Sequence, residues 1–216
     1  MRTGILGGTF NPIHLAHLRI AEEVREAMQL DRVLFIPAAD PPHKSVADEI
    51  PFTHRLAMVE LAIADHPQFI ASDIENRRQG KSFSVDTLDI LHQENPADSL
   101  YFIIGLDSYR DLTTWKEYGR LFAQANMVVT MRPGVKMAEP LAMLPVAMQD
   151  DFCYDAPLRY YRHKSGNSLI FLTETRLDIS STRIRQKVGA GESIRYLVTP
   201  PVGEYIRTHG LYHGSS

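Results

Sequence analysis

The sequence predicts an α/β fold: a single doubly wound, mostly parallel sheet with a small helical part toward the C-terminus. Three observations predict it. Short unbroken apolar runs, such as Val33-Leu-Phe-Ile36 and Tyr101-Phe-Ile-Ile104, have the length of strands buried on both faces. Other segments carry apolar residues three or four apart, the spacing of an amphipathic helix. The two kinds alternate along the chain, the order of βαβ units rather than of a bundle or a sandwich.

Taken in order, the run ending at Ile5-Leu6 is the first strand. It breaks at Gly7-Gly8, where the backbone can take angles closed to residues with a Cβ, and Asn11-Pro12 keeps the chain extended or turning. From about Ile13, Leu18, Ala21, Val24 and Met28 mark a helical stripe. Residues 32–37 form a second buried strand closed by a proline. Residues 38–51 follow as a long polar loop containing Asp40-Pro-Pro-His-Lys44, and a loop of that length in a compact domain is usually functional or mobile. Thr53 is placed to cap a helix to about Ala64, with Leu56, Val59 and Ile63 inward. A short strand at 69–71 and a charged loop at 73–81 precede a helix from Ser82 to about Gln93. Further strands are expected at 100–105, 126–130 and 168–172. Ser180-Ser181-Thr182 caps a helix to about Val188, and Pro201 begins a last helix that Gly210 stops. Residues 1–216 are read as one domain. Its core is 1–134, a Met-, Pro- and Ala-rich stretch at about 135–166 is a variable insertion, and 167–216 carries the C-terminal helices.

The composition narrows the classes of function. A chain of 216 residues, 44% hydrophobic, can bury a real core. A formal charge of −3 without a Lys/Arg run argues against a nucleic-acid surface. One cysteine, Cys153, excludes an internal disulfide framework and fits a reducing compartment. The N-terminus enters a strand with no charged leader and long apolar core, so no signal peptide is expected. No apolar stretch approaches the roughly 20 residues of a membrane span. The expected location is the cytoplasm, and a homo-oligomer is compatible with these features.

The chemistry is concentrated at two helix beginnings. In the first, a glycine-rich loop joins a strand to a helix that carries His14 and His17 in its first turn, three apart and on one side. Free backbone N–H groups, the positive end of the helix dipole and glycines that admit close approach suit an anion. The imidazoles add donors that can carry charge when a phosphate is near. The bland alternative is a tight turn with two surface histidines; Thr9 and Asn11 together with the pair favour a nucleotide phosphate site. The second is Asp178-Ile-Ser-Ser-Thr-Arg-Ile-Arg185, where Ser181, Thr182 and Arg185 could clamp a polyphosphate. Alone it reads as an ordinary hydroxyl cap with surface arginines, and only its pairing with the first loop reverses that. The informative stretches, 7–17, 40–44, 105–108 and Arg132, fall after the predicted strands, where ligands of open α/β sheets bind.

Other signals are weaker. Gly80-Lys81-Ser82 mimics the end of a P-loop, but Glu75 stands where that motif needs glycine and no strand feeds it. His14 and His17 have metal-ligand spacing, yet no nearby Cys or Glu completes a shell. Gly105-Leu-Asp-Ser lacks the GxSxG elbow of a serine hydrolase.

Gly-Gly-Thr-Phe-Asn-Pro-Ile-His-Leu-Ala-His17 together with Ile179-Ser-Ser-Thr-Arg-Ile-Arg185 resembles the nucleotidyltransferase superfamily that carries HxGH and ISSTxxR motifs. Pro41-Pro-His-Lys44, Ile103-Ile-Gly-Leu-Asp-Ser108, Trp115 and Arg132-Pro133 narrow the resemblance to bacterial nicotinate-nucleotide adenylyltransferases, over residues 2 to about 212. The resemblance implies adenylyl transfer from ATP, with Mg²⁺, to nicotinate mononucleotide, giving deamido-NAD and pyrophosphate. It implies that His14 and His17 hold the ATP phosphates and that Lys44 and Arg185 complete the catalytic set. Gly7, Gly8, Thr9 and Phe10 would surround the nucleotide. Gly105 and Asp107 would lie near the adenosine ribose, and Ile179, Ser181, Thr182 and Arg185 at the distal phosphates. Ser84, Phe102, Trp115 and Arg132 would meet the nicotinate nucleotide, Trp115 by stacking. The sequence departs from the pattern at Ala16 for glycine, at Ser84 within Ser-Phe-Ser for Ser-Tyr-Thr, and at Asn11 for a common aspartate. Rival readings are an adenylyltransferase for nicotinamide mononucleotide, a pantetheine-phosphate adenylyltransferase and a non-catalytic nucleotide sensor. His14 and the Pro-Pro-His-Lys loop argue against the pantetheine-phosphate enzyme.

Overall fold

A computed structural model describes residues 1–41, 50–78, 80–131, 134, 139–173, 175 and 177–213. Strand β1 (Arg2–Gly8) is flanked in parallel by β2 (Arg32–Pro37) and β4 (Ser99–Gly105), with β3 (Phe69–Ala71) outside β2. On the other side β5 (Asn126–Met131) and β8 (Ser168–Thr173) continue the parallel sheet. An antiparallel hairpin, β6 (Phe152–Asp155) and β7 (Tyr160–His163), extends it to eight strands in the order β3-β2-β1-β4-β5-β8-β7-β6.

The apolar runs are continuous because both faces are covered. The register aligns Leu34, Ile5, Phe102, Met127 and Leu169 in one row across five strands, and all five belong to one core cluster. The next row, Phe35, Leu6, Ile103, Val128 and Ile170, faces the other core. The period of two along each strand sends alternate residues to opposite helix layers. Helices α1 (Leu15–Ala27), α2 (Phe52–Ile63), α7 (Ser181–Gly189) and α8 (Pro200–Thr208) cover the second row. Helices α3 (Ser84–Glu94), α4 (Leu106–Arg110) and α5 (Tyr118–Gln124) cover the first. A Cβ on Gly4 would sit 2.8 Å from Leu30 Cδ1 and 3.1 Å from Val33 Cγ2, so the Leu30 side chain would have to shift to admit one.

Strands β1 to β5 and β8 fall where the apolar runs put them. Helices α4 and α5 had no predicted counterpart; at five and seven residues they are too short to show a stripe. The expected irregular insertion holds a 3₁₀ turn (Pro140–Met143), helix α6 (Val146–Gln149) and the hairpin. Its strands are four residues each and partly exposed, so they carry no apolar run. Helix α2 starts after Pro51 rather than at a Thr53 cap, and α3 starts at Ser84 rather than Ser82. The inner face of α2 carries Arg55 where the stripe suggested Leu56, which is only half-buried.

Candidate active site

The sheet's strand order reverses between β1 and β4, the switch point at which a doubly wound sheet opens a crevice at its carboxyl end. A cavity of about 770 Å³ occupies that crevice. Gly7 and Gly105 stand at the two strand ends, and a Cβ on either would meet nothing within 4 Å. Gly7, Gly8, Thr9 and His17 form one wall; Ser84, Phe102, Gly105, Asp107 and Trp115 form the other. Nine of the sequence-predicted residues are thus brought together around one space.

The loop between β1 and α1 is tightly specified. Asn11-Pro12 is a cis peptide, and Phe10 has φ of 49°, in the left-handed region, with its ring buried. The Phe10 ring meets the edge of His17 at 5.1 Å. His14 is the N-cap of α1 and His17 its third residue, so the helix begins two residues later than its apolar stripe suggested. The imidazoles stack with centroids 3.7 Å apart and 19° between planes. The His14 backbone N–H donates to His17 Nδ1 at 3.2 Å. Burial pushes the His14 imidazole down to about 4; burial and then the neighbouring His14 hold His17 well below the ordinary histidine range. Burial therefore favours the neutral form of both rings at pH 7. Because His17 Nδ1 accepts, its proton sits on Nε2, leaving a donor on the residue that lines the cavity. His14 does not line the cavity, and its Nδ1 is buried without a partner among the described residues.

Helix α7 meets this loop directly. Ser180 is the N-cap, its Oγ accepting from the Arg183 N–H at 3.3 Å. Ser181 Oγ donates to the Pro12 carbonyl at 2.8 Å, and Arg185 Nη1 to the Asn11 carbonyl at 2.8 Å. Arg185 Nη2 reaches Thr182 Oγ1 at 3.5 Å, while Ile179 packs against the core. Tyr212 donates its hydroxyl to Asn11 Oδ1 at 2.8 Å, and the Leu15 N–H donates to the Leu197 carbonyl at 3.0 Å. The two helix beginnings are adjacent, and the Ser181 hydroxyl and Arg185 guanidinium hold loop carbonyls. Lys44 and Arg132 lie outside the described residues.

On the far wall, Trp115 and Phe102 meet edge to face at 6.3 Å. Ser84 opens α3, where Asp86 accepts from Lys116 at 2.8 Å and from Arg78 at 2.8 Å. Lys116 lines the cavity next to Trp115. Asp107 is at the rim, its side chain 86% exposed and paired with Arg110 at 3.2 Å.

Three contributors were not anticipated. Ser82 Oγ accepts from the Ala39 and Asp40 N–H groups at 2.9 and 3.0 Å, tying the start of the loop after β2 to the start of α3. Glu75 lines the cavity; its Oε1 accepts from Thr87 Oγ1 at 2.8 Å, and its buried Oε2 has no partner among the described residues. The fully buried Arg55 holds loop carbonyls behind the site. An arginine on the inner stripe of a predicted helix is the one signal that could have revealed it. Among the described residues no group of three or more His, Cys, Asp or Glu side chains could hold a metal ion. None of the described helices is long and apolar enough to cross a membrane.

Residues 5–187 match the family model described as cytidylyltransferase-like. The chain is 62% identical over 212 residues to a probable nicotinate-nucleotide adenylyltransferase of Syntrophotalea carbinolica, covering 98% of this chain and 97% of that protein. It is 54% identical to the protein of the same name from Geobacter metallireducens, covering 98% of each. The chain belongs to the nicotinate-nucleotide adenylyltransferase family. Among solved structures, nicotinic acid mononucleotide adenylyltransferase of Plasmodium falciparum complexed with NaAD is similar to it with a TM-score of 0.73. That match covers 98% of this chain and 97% of the other at 19% identity, a likeness of fold. The glycine-rich loop and both helix beginnings of this member of the nicotinate-nucleotide adenylyltransferase family lie inside the residues that the family model matches.

Proposed function

We propose that this protein transfers the adenylyl group of ATP to nicotinate mononucleotide, releasing pyrophosphate and forming deamido-NAD. The observation that carries the reading is the cavity at the β1/β4 switch point. Its one wall is a glycine loop with a neutral imidazole donor, and its other wall carries Trp115, Phe102 and Ser84. The mononucleotide's phosphate attacks the α-phosphorus of ATP in line, the bond to the bridging oxygen breaks, and pyrophosphate leaves with the charge. No protein nucleophile is needed, so catalysis is positioning and stabilisation of developing charge. His17 Nε2–H faces the triphosphate. His14 holds His17 in place and shares the load, and Gly7 and Gly105 give the backbone close approach. Gly8, Thr9 and Phe10 surround the nucleotide, Asp107 lies at the adenosine ribose, Ile179, Thr182 and Lys44 serve the phosphates, and Ser181 and Arg185 serve them through the loop carbonyls they hold.

A divalent metal, Mg²⁺ in this reading, enters with ATP as part of the substrate and is carried by its phosphates. What the cavity supplies toward that substrate is anion donors, the His17 imidazole and the backbone at Gly7 and Gly8 among them. Trp115 stacks on the pyridine ring with Phe102 behind it, and Ser84 and Arg132 complete the acceptor site. Lys116 beside Trp115, its ammonium also held by Asp86, is the group that in this reading meets the carboxylate distinguishing nicotinate from nicotinamide. Purified protein incubated with ATP and each mononucleotide, with pyrophosphate release measured, tests the reading. Turnover with nicotinate mononucleotide at the higher kcat/KM is expected. A higher kcat/KM for nicotinamide mononucleotide overturns the acceptor, and no release with either overturns the reaction.

A further inference from the structure

We propose that Arg55, which touches no substrate, is a positioning residue that turns the Thr9–Phe10 peptide so that the Phe10 N–H faces the triphosphate. The role rests on the adenylyl-transfer reading only for the identity of the anion. The Arg55 side chain is 2% exposed, on the inner face of α2. Its Nη1 donates to the Thr9 carbonyl at 2.8 Å and to the Ala38 carbonyl at 2.7 Å, and its Nε to the Ile50 carbonyl at 3.3 Å. Thr9 and Ala38 both line the cavity, one following β1 and the other β2, and the two strand ends are joined by the Ala38 N–H donating to the Gly8 carbonyl at 2.8 Å. One guanidinium therefore grips the carbonyls at both strand ends from the side away from the cavity.

The consequence follows from peptide planarity. In a trans peptide the C=O and the next N–H point in opposite directions. The Ala38–Ala39 peptide displays this: its oxygen is on Arg55, and its N–H is on Ser82 Oγ at 2.9 Å, across the cavity wall. The Thr9–Phe10 peptide has its oxygen on the same guanidinium, so the Phe10 N–H is directed away from Arg55 as well. This orientation comes with φ of 49° at Phe10, a conformation that bulky residues rarely adopt and that persists only where the surroundings over-determine it. The buried Phe10 ring, packed against His17 and Phe35, and the guanidinium on the preceding carbonyl both act to fix it. A fork with donors in one plane can hold two carbonyls at once, which a lysine ammonium on a flexible stem does less well.

The test uses Arg55→Lys and Arg55→Gln in the full chain, with folding checked by circular dichroism and a thermal melt. For variants that stay folded, kcat/KM for ATP is expected to fall by about 10²-fold, the scale of a misplacement near 1 Å. KM for the mononucleotide should stay within twofold, and Arg55→Lys should retain more activity than Arg55→Gln. A KM for the mononucleotide that rises as much as KM for ATP, or folded variants within twofold of the parent, would overturn the role. A second measurement needs no variant and no turnover. With ¹⁵N-phenylalanine in the unaltered chain, inorganic tripolyphosphate is expected to shift the Phe10 amide resonance more than any other phenylalanine amide. An unmoved Phe10 amide at saturating tripolyphosphate overturns the proposal even if the enzyme is active. If the enzyme is inactive but the amide shifts, the assigned reaction fails and the positioning role stands.

Discussion

The starts of α1 and α7 are both helix N-termini beside the same loop, yet they are built differently. Helix α1 begins with an imidazole at its cap and a second imidazole stacked on it, both buried enough to be neutral. Helix α7 begins with a hydroxyl cap in solvent, and its Ser181 and Arg185 reach across to the carbonyls of Pro12 and Asn11. The first helix keeps a donor turned to the cavity, while the second keeps the first helix's loop in place. A dipole alone therefore does not define the role of a helix end; the partners already engaged by its side chains do.

That contrast can be broken by mutation. The largest effect is expected at the α1 start: His17→Ala should lose about 10²-fold or more in kcat, as for a lost transition-state donor. Near-normal turnover in a folded variant would move the donor role elsewhere. Arg185→Ala should cost less, on the order of 10- to 100-fold in kcat/KM for ATP, from a charged hydrogen bond worth about 1.5–3 kcal/mol. Because the contrast makes Arg185 act through the loop, its effect should shrink in a His17→Ala background. Strict additivity in that double-mutant cycle would instead make the two residues independent phosphate ligands.

Trp115→Ala, on the opposite wall, should raise KM for the mononucleotide by roughly tenfold, the scale of a lost ring stack, and leave KM for ATP unchanged. A parallel rise in both would show that the walls are not separate subsites. The smallest effects are on stability. An unfolded histidine takes up a proton near pH 6.5, whereas His14 in the folded chain does so only near 4. Its folded pKa is depressed, so stability is fully present above about 6.5 and is lost as pH falls from there toward 4. Between pH 7 and 5.5 this amounts to about 1 kcal/mol. His14→Gln should flatten the fall in Tm over that window, and an identical slope in both chains would show that His14 is not the group responsible.

Much of the scaffold was legible because burial on both faces writes continuous apolar runs. The strand ending at Ile5-Leu6 and the apolar runs beside it are visible in the sequence, whereas the rows they form across the sheet come from the register. The candidate site was legible as clusters of residue types after strand ends, but not as a set of bonds. Ser181 and Arg185 read as phosphate ligands from their chemistry, and nothing in the sequence says that they hold the carbonyls of residues 12 and 11. Arg55 is harder still, since a single charge within an apolar stripe looks like an error of phase rather than a contact. The neutrality of the histidines was equally hidden, because it depends on how deeply two rings are covered.

Tyr212 closes the circuit from the other end of the chain. Burial pushes its phenol up, so it keeps its proton and donates to Asn11 throughout the neutral range. During synthesis the loop at residue 11 emerges 169 to 201 residues ahead of three of the groups that grip it, at positions 181, 185 and 212. A nascent chain on the ribosome could build the first half of the sheet and still lack a competent nucleotide pocket.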